Sequence, residues 1–511
     1  MKKCTMALAR ATFAIVAALS FCRTSGQLTM TTQLRTRTEY RNGAGTLIPK
    51  SNDASFFTSQ RTRLTFNYRS NRVIFQTSVQ DVRVWGQDAS TISSADGNKL
   101  GVHEAWAEVI LSNKKDSSFR KSFFEYLAFK VGRQELLYDD SRLLGNLDWL
   151  QQARRHDALV IKMKDKGWQM DAGFAFNQNT DAFNYNGTYY TPANVPPTIR
   201  DSKGFLVATP AGLVPLTGNT GLSSKGGAPV FINAPSTNGM NQHYKSLEFL
   251  YIARNFGNSR LTGLLVTDQF GKYVIDSVQT SNLNEPGFVY GRRFNQKGVN
   301  GRLTSGILWN SPLNKSKTIV VTAGVYYQRG KDKDGLKLDA YTTTLAVNFN
   351  RRHFVYTAGW DYVSGNSAFP SPVANHRFDP LYGTPHKFWG YMDYFYAGTG
   401  SPAGGLNNPF LKVKYSSETN RITVSADLHY FALANDMKAD NGTPVNKYLG
   451  TEVDLLATYG VNKMVSIESG FSLMKASPSM EYAKNIPRGT TQRTGTWCYV
   501  MINIRLEFLI K

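Results

Sequence analysis

The closing segment "CYVMINIRLEFLIK" restricts the fold more than any other part of this chain. Cys498, Val500, Ile502, Ile504, Leu506, Phe508 and Ile510 are all apolar, while the intervening positions include Asn503, Arg505, Glu507 and Lys511. Strict alternation over this length gives a strand with one greasy face and one wet face. Strands of soluble sandwiches usually run about 5–6 residues, so a longer amphipathic strand at the end of the chain points to a membrane barrel. The pattern recurs in Leu64, Phe66 and Tyr68, in Trp168 to Phe176, in Val299 to Trp309 and in Ile422 to Tyr430. No helical periodicity of comparable length competes with it.

The N-terminus fits an exported chain. Lys2 and Lys3 precede the apolar run Ala11–Cys22, and Thr24-Ser25-Gly26 offers small residues for cleavage. This layout predicts a signal peptide over 1–26 rather than a spanning helix, for which the apolar run is too short. Beyond it Cys498 is the only cysteine, so no intramolecular disulfide and no cysteine metal cluster can form. No mature segment reaches 18 apolar residues, which leaves open a barrel whose strands need only about 9–11 alternating residues.

Connections sharpen the reading. Very short ones fall at Ser70-Asn71, Asp165-Lys166, Arg351-Arg352, Glu418-Thr419 and Val461-Asn462. Long ones fall near 42–56, 87–100, 134–155, 179–242, 271–298, 365–407, 433–447 and 476–493. Alternating tight turns and long loops match the periplasmic and external ends of an outer-membrane barrel. Imposing that rule predicts an all-β, antiparallel transmembrane barrel of about 18 strands over 27–511, a single domain with both termini on the periplasmic side. The aromatic segments near 287–294 and 386–396 are assigned to loops, since counting both as spans breaks the rhythm. The 179–242 segment is expected to be an external loop or a lid.

The whole chain carries +22; without Lys2, Lys3, Arg10 and Arg23 the mature chain carries +18. Such a balance suggests an anionic partner, and export argues against nucleic acid. No cofactor motif is present: there is no G-x-S-x-G, no phosphate loop, and His103-Glu104 lacks the second histidine of a zinc-protease helix. An enzyme is therefore not expected.

Several stretches carry a family resemblance. "LAFKVGRQELLYDDSRLLGNLDWLQQARRHDAL" (Leu127–Leu159), "GWDYVSGNSAFPSPVANHRFDPLYGTPHKFWGYMDYF" (Gly359–Phe395) and "LGTEVDL" (Leu449–Leu455) resemble the alginate-export family of outer-membrane barrels. The openings "QLRTRTEYR" and "RTRLTF" fit its N-terminal strands. The resemblance implies an 18-stranded barrel with an arginine-rich lumen that passes an anionic exopolysaccharide. The expected partners are outer-membrane lipid and lipopolysaccharide, an acidic polysaccharide and periplasmic export components. A diffusion porin for small anions or sugars is the alternative.

With apolar side chains facing lipid, Arg35, Arg37, Arg61 and Arg63 point inward, as do Lys130 and Arg302. Guanidinium groups suit carboxylated sugars because they bind carboxylate in a two-point fork. Glu39, Glu104, Glu108, Asp171, Glu452, Asp454, Glu468 and Glu507 also fall inward, so bracing across the lumen is an equal claim on any one arginine. The loop between "LAFKVG" and "DALVIK" mixes charge with Leu136, Leu137, Leu143, Leu144, Leu147, Trp149 and Leu150. That mixture predicts a loop folded into the pore. Glu135, Asp139, Asp140 and Asp148 are expected to pair with arginines, and Arg133, Arg142, Arg154 and Arg155 to face the substrate path. Asp139-Asp140 is an acid pair that lacks a spaced calcium motif.

Overall fold

An isolated amphipathic strand leaves both edges unpaired, and in lipid every backbone polar group needs a partner, so the sheet must close on itself. The computed structural model describes residues 26–86, 100–116, 119, 122–178, 195, 197–216, 222–223, 244–280, 286–397 and 402–510. The expected leader and most of the 179–242 segment lie outside them.

Eighteen strands form the wall. They are β1 (Gln27–Asn42), β2 (Ser55–Arg69), β3 (Val73–Val84), β4 (Leu100–Asn113), β5 (Tyr126–Gln134) and β6 (His156–Asp165). Then come β7 (Trp168–Phe176), β8 (Ser246–Phe256), β9 (Ser259–Gly271), β10 (Val299–Pro312), β11 (Ile319–Lys331) and β12 (Lys337–Arg351). The last six are β13 (Phe354–Val363), β14 (Leu406–Ser416), β15 (Ile422–Ala432), β16 (Tyr448–Gly460), β17 (Val465–Ala476) and β18 (Thr494–Ile510). Each pairs antiparallel with its neighbour in sequence, and β18 pairs back onto β1 from Leu28↔Ile510 to Asn42↔Thr496. The wall sheet has no free edge among the described residues, and the start of β1 at Gln27 and the end of β18 at Ile510 lie at the short-turn rim.

Side-chain alternation follows the sequence reading. In β15, Ile422, Val424, Leu428 and Tyr430 each expose 41–45% of their surface, whereas Asp427 and His429 are buried inside. Outward aromatics gather toward both rims: Phe354, Tyr356 and Tyr415 at one end, Tyr341 and Trp360 at the other. Such girdles mark the two membrane interfaces of a barrel.

The two aromatic segments assigned to loops are indeed not wall strands. Phe288–Arg293 joins Val274–Gln279 and Leu213–Pro215 in a three-stranded sheet of the external loops. The 386–396 segment is irregular and buried within the barrel. The expected rhythm is not kept everywhere: at the short-turn rim β4 and β5 are separated by 114–125, and at the external rim β11 and β12 are joined by a connection of only 332–336. Its turn is closed by hydrogen bonds from Gly335 N to Asp332 O and from Asp332 N to Leu336 O.

Candidate functional site: a two-loop constriction

The first two strands place a row of arginines on the inner wall. Arg35 of β1 lies directly opposite Arg61 of β2, and Gln33 lies between Arg63 of β2 and Arg505 of β18. Like charges facing each other across a sheet are destabilising, so Arg35 and Arg61 need a counter-charge. The loop 135–155 supplies it. Asp148 sits 2.7 Å from Arg61, 3.1 Å from Arg35 and 3.8 Å from Arg63.

Backbone carbonyls of the same loop accept the remaining guanidinium protons. Arg35 donates to Asp148 O (2.8 Å) and Leu150 O (3.3 Å), and Arg37 donates to Trp149 O (2.7 Å). Arg35 Nε also reaches Gln151 Oε1 at 2.9 Å, and Gln151 donates onward to Ser59. Burial alone raises the Asp148 carboxyl pKa, but the Arg61 hydrogen bond and the fields of Arg61, Arg35 and Arg63 outweigh it and hold the group below the ordinary aspartate range.

Aromatic contacts fix the loop tip. Trp149 stacks on His386 (4.3 Å between centroids, 9° between planes) and meets Trp497 and Tyr499 of β18 edge-on. The Arg37 guanidinium lies 4.0 Å above the Trp149 ring, a favourable cation–π geometry.

A second loop, 364–405, completes the constriction from the other side. Tyr382 N donates to Leu143 O (2.9 Å), Gly145 N to Tyr382 O (3.0 Å) and Thr384 N to Ser141 O (2.8 Å). The backbones approach so closely that a Cβ on Gly383 would lie 1.9 Å from Arg142 O, so only glycine fits there. This loop is tied to the wall through Met392 N to Glu452 Oε1 (2.8 Å) and Arg302 Nη1 to Asp379 Oδ2 (2.9 Å). Leu143, Leu144, Phe378, Leu381, Tyr382, Trp389 and Tyr394 are all buried in one apolar cluster. A constriction loop was legible in the sequence; its second half was not, although the run of aromatics from 388 to 396 was the available signal.

The wall residues Arg35, Arg37, Arg61, Arg63, Lys130 and Arg302 all lie on the inner face. Arg37 is paired with Glu39, Arg302 with Asp268 and Asp379, and the Lys130 ammonium lies 3.7 Å from the Trp106 ring centroid. Arg142 is buried inside the loop cluster between Asp140 and Asp361, under the Phe388 ring. Burial depresses its pKa, but Asp361 and Asp140 more than compensate. Arg154 donates to Gly383 O (2.7 Å), which ties it to the second loop. Arg155 is exposed at the rim.

Three expectations require correction. Arg142, 6% exposed between Asp140 and Asp361, is turned into the loop cluster and not toward the substrate path. Arg133 is not in the lumen. Strand β5 continues through Gln134, so alternation carries Lys130, Gly132 and Gln134 inward and Val131 and Arg133 outward, where Arg133 forks onto Asp157 (2.8 and 2.9 Å). Nor do all four loop acids pair with arginine. Asp148 and Asp140 do; Asp139 accepts from Tyr251 and Thr262, and Glu135 faces His103 and Asn146.

On the short-turn side of the constriction lies a cavity of about 740 Å³. Arg61, Arg63, Lys463 and Arg505 line it together with Glu104, Glu135, Asp148 and Glu507. Lys463, from the turn between β16 and β17, had no signal in the sequence beyond its charge. This vestibule behind the loop constriction is thus lined by charges of both signs.

Comparison with known proteins agrees with this architecture. The family described as "Alginate export" matches residues 26–177, which contain the arginine strands and the first constriction loop. The 359–395 and 449–455 stretches lie beyond that match. No curated protein matches the chain. Among solved structures, the Pseudomonas aeruginosa outer-membrane protein OpdK is 9% identical, with TM-score 0.51, covering 94% of this chain and 99% of its own. OccK9 (OpdG) and OccD3 (OpdP) of the same organism are 10% and 11% identical, each with TM-score 0.51. Each alignment covers 95% of this chain, and 99% and 92% of the respective relative. At this identity the likeness is one of fold. The chain is an outer-membrane, porin-like β-barrel channel, resembling the alginate-export family over its first third.

Proposed function

We propose that this channel passes acidic saccharides, with an alginate-like polyuronate as the representative substrate. The observation that carries the reading is the convergence of Arg35, Arg61 and Arg63 on one carboxylate, Asp148, at the narrowed part of the lumen. A uronate carboxylate presents the same forked acceptor to the same guanidiniums. Arg63 and Arg505 border the vestibule next to this cluster, so a sugar carboxylate arriving there finds donors before it reaches the narrowest point. Several modest sites in series suit transit, because each must also release its ligand.

A diffusion porin for small anions or sugars is the second reading. Two inward loops packed against each other narrow the lumen, and the vestibule carries acids as well as bases. Planar-bilayer recordings with the Arg61→Gln/Arg63→Gln double variant distinguish the two. The parent channel is expected to prefer anions and to be blocked by polyuronate fragments more than by neutral glucans of equal length. The variant is expected to lose most of that difference. Equal block by acidic and neutral chains in the parent favours the porin.

A further inference from the structure

The root of the first constriction loop holds three metal-ligating side chains beside the arginine cluster, with which they share the vestibule. In β4, Ser78 of β3 pairs with Glu104 and Val79 pairs with Val102, which leaves His103 as the extra residue of a β-bulge. A bulge re-aims side chains that regular alternation would send outward. His103 is accordingly turned inward beside Glu104, and its exposure is 0%. Glu135 is the first residue after β5. Its Oε1 lies 2.9 Å from His103 Nε2, and its own N–H donates to Glu104 Oε1 at 3.3 Å.

One ligand atom from each of His103, Glu104 and Glu135 lies within 4.8 Å of the other two. The remaining oxygens are already oriented from outside the cluster: Gln76 donates to Glu104 Oε2 (2.6 Å) and Asn146 to Glu135 Oε2 (2.8 Å). Metal-ligating carboxylates are commonly braced by such outer hydrogen bonds. His103 Nδ1 is buried with no hydrogen-bond partner among the described residues. Its other nitrogen, Nε2, lies against the Glu135 carboxylate and within 4.8 Å of a Glu104 oxygen. Two carboxylates held this close repel each other; Lys130 and Arg63 act on both from the wall and Trp106 Nε1 donates to Glu104 Oε1 (3.0 Å), and a cation between the carboxylates relieves the repulsion directly. Glu104 and Glu135 both border the vestibule, which gives an ion a route in.

We propose that His103, Glu104 and Glu135 form a divalent transition-metal site, suited to Zn²⁺, that pins the root of the constriction loop to β4. One imidazole and two carboxylates, with water as a fourth ligand, make a tetrahedral N/O set. Bonds of about 2.0–2.2 Å place such ligands about 3.4 Å apart, so modest side-chain movement closes the present spacing. Calcium is disfavoured, since it requires six to eight oxygens. The site joins a wall strand to the loop that narrows the pore, so metal occupancy holds the loop down independently of Asp148.

The test is titration calorimetry of ZnCl₂ into the full-length, metal-stripped barrel in detergent, purified without a histidine tag, with CaCl₂ as the comparison ion. The expected result is one Zn²⁺ per barrel at micromolar or tighter affinity, at least tenfold weaker in His103→Asn and in Glu135→Gln, and at least tenfold weaker for Ca²⁺ in the parent. Heat-dependent electrophoretic migration verifies that each variant is folded. If the His103 variant does not assemble, Glu135→Gln and Glu104→Gln, whose shapes are conserved, carry the test. Absence of Zn²⁺ binding by the folded parent overturns the proposal. So does binding that survives in the folded variants, or a preference for Ca²⁺.

Discussion

Replacing Asp148 by Asn keeps the shape of the side chain and removes its charge, so it isolates what one carboxylate does for three arginines. In the parent, Asp148 makes its two shortest contacts to Arg61 and Arg35. A hydrogen bond to a charged group contributes about 1.5–3 kcal/mol. The amide retains one acceptor oxygen, and the Asp148 side chain is 35% exposed, so solvent screening reduces the loss. A net loosening of about 1–2 kcal/mol follows, a factor of about 5–30 in the ratio of docked to undocked loop. Single-channel recordings of Asp148→Asn should show a 5–30-fold rise in time spent at higher conductance. A KCl gradient should show a reversal potential shifted toward chloride, because the three guanidiniums have lost their counter-charge. Screening should shrink the selectivity shift between 0.1 M and 1 M salt, where the Debye length falls from about 10 to 3 Å. The pH dependence has a definite sign. Because the folded pKa of Asp148 is depressed, its stabilisation is complete above the ordinary aspartate value of about 3.9 and is lost only as pH falls through the lower folded value. Conductance of the parent should therefore be steady from pH 7 to about 4 and rise below that. Unchanged dwell times and selectivity in the variant would refute the idea that Asp148 holds the loop against the arginine face.

Shortening the first loop between Glu135 and Gln152 should raise conductance while the barrel still assembles; unchanged conductance means the second loop alone sets the bore. Arg142→Met leaves Asp361 buried without its cation, and breaking such a pair costs about 3–5 kcal/mol; a lower temperature of electrophoretic unfolding checks this. Arg133→Ala should leave ion selectivity unchanged, because Arg133 lies on the outer face with Asp157. Gly132→Val should impair assembly, since φ is +119° there and a Cβ would lie 2.2 Å from Ala105 O; the fraction of heat-modifiable protein in the membrane is the measure.

The wall was legible in the sequence because its signal is local. Alternation in β15 or β18 follows from one face meeting lipid and the other water, and each strand carries that record by itself. The inward placement of Arg35, Arg37, Arg61 and Arg63 is the same signal read from its polar half. What alternation cannot report is where a loop turns once it leaves the wall. Arg133 was misassigned because the strand runs one residue past it, and a single residue decides inside from outside. Asp139 and Asp148 look alike in sequence, yet one meets Tyr251 and Thr262 and the other meets arginines. The partnership of the two loops rests on contacts more than 200 residues apart in the chain, such as Leu143 with Tyr382. The bulge that turns His103 inward breaks the alternation by one residue, which in the sequence reads only as an imperfect strand.

The pairing of β1 with β18 is the joint that closes the wall, first strand to last. The tip of the first loop lies across that joint. Arg35 and Arg37 reach it from β1, while Trp497 and Tyr499 meet Trp149 from β18. The narrowing of the pore is thus also a rivet across the seam. A barrel whose ends have not met lacks half of the surface on which the loop tip sits, so the constriction and the finished cylinder come into being together.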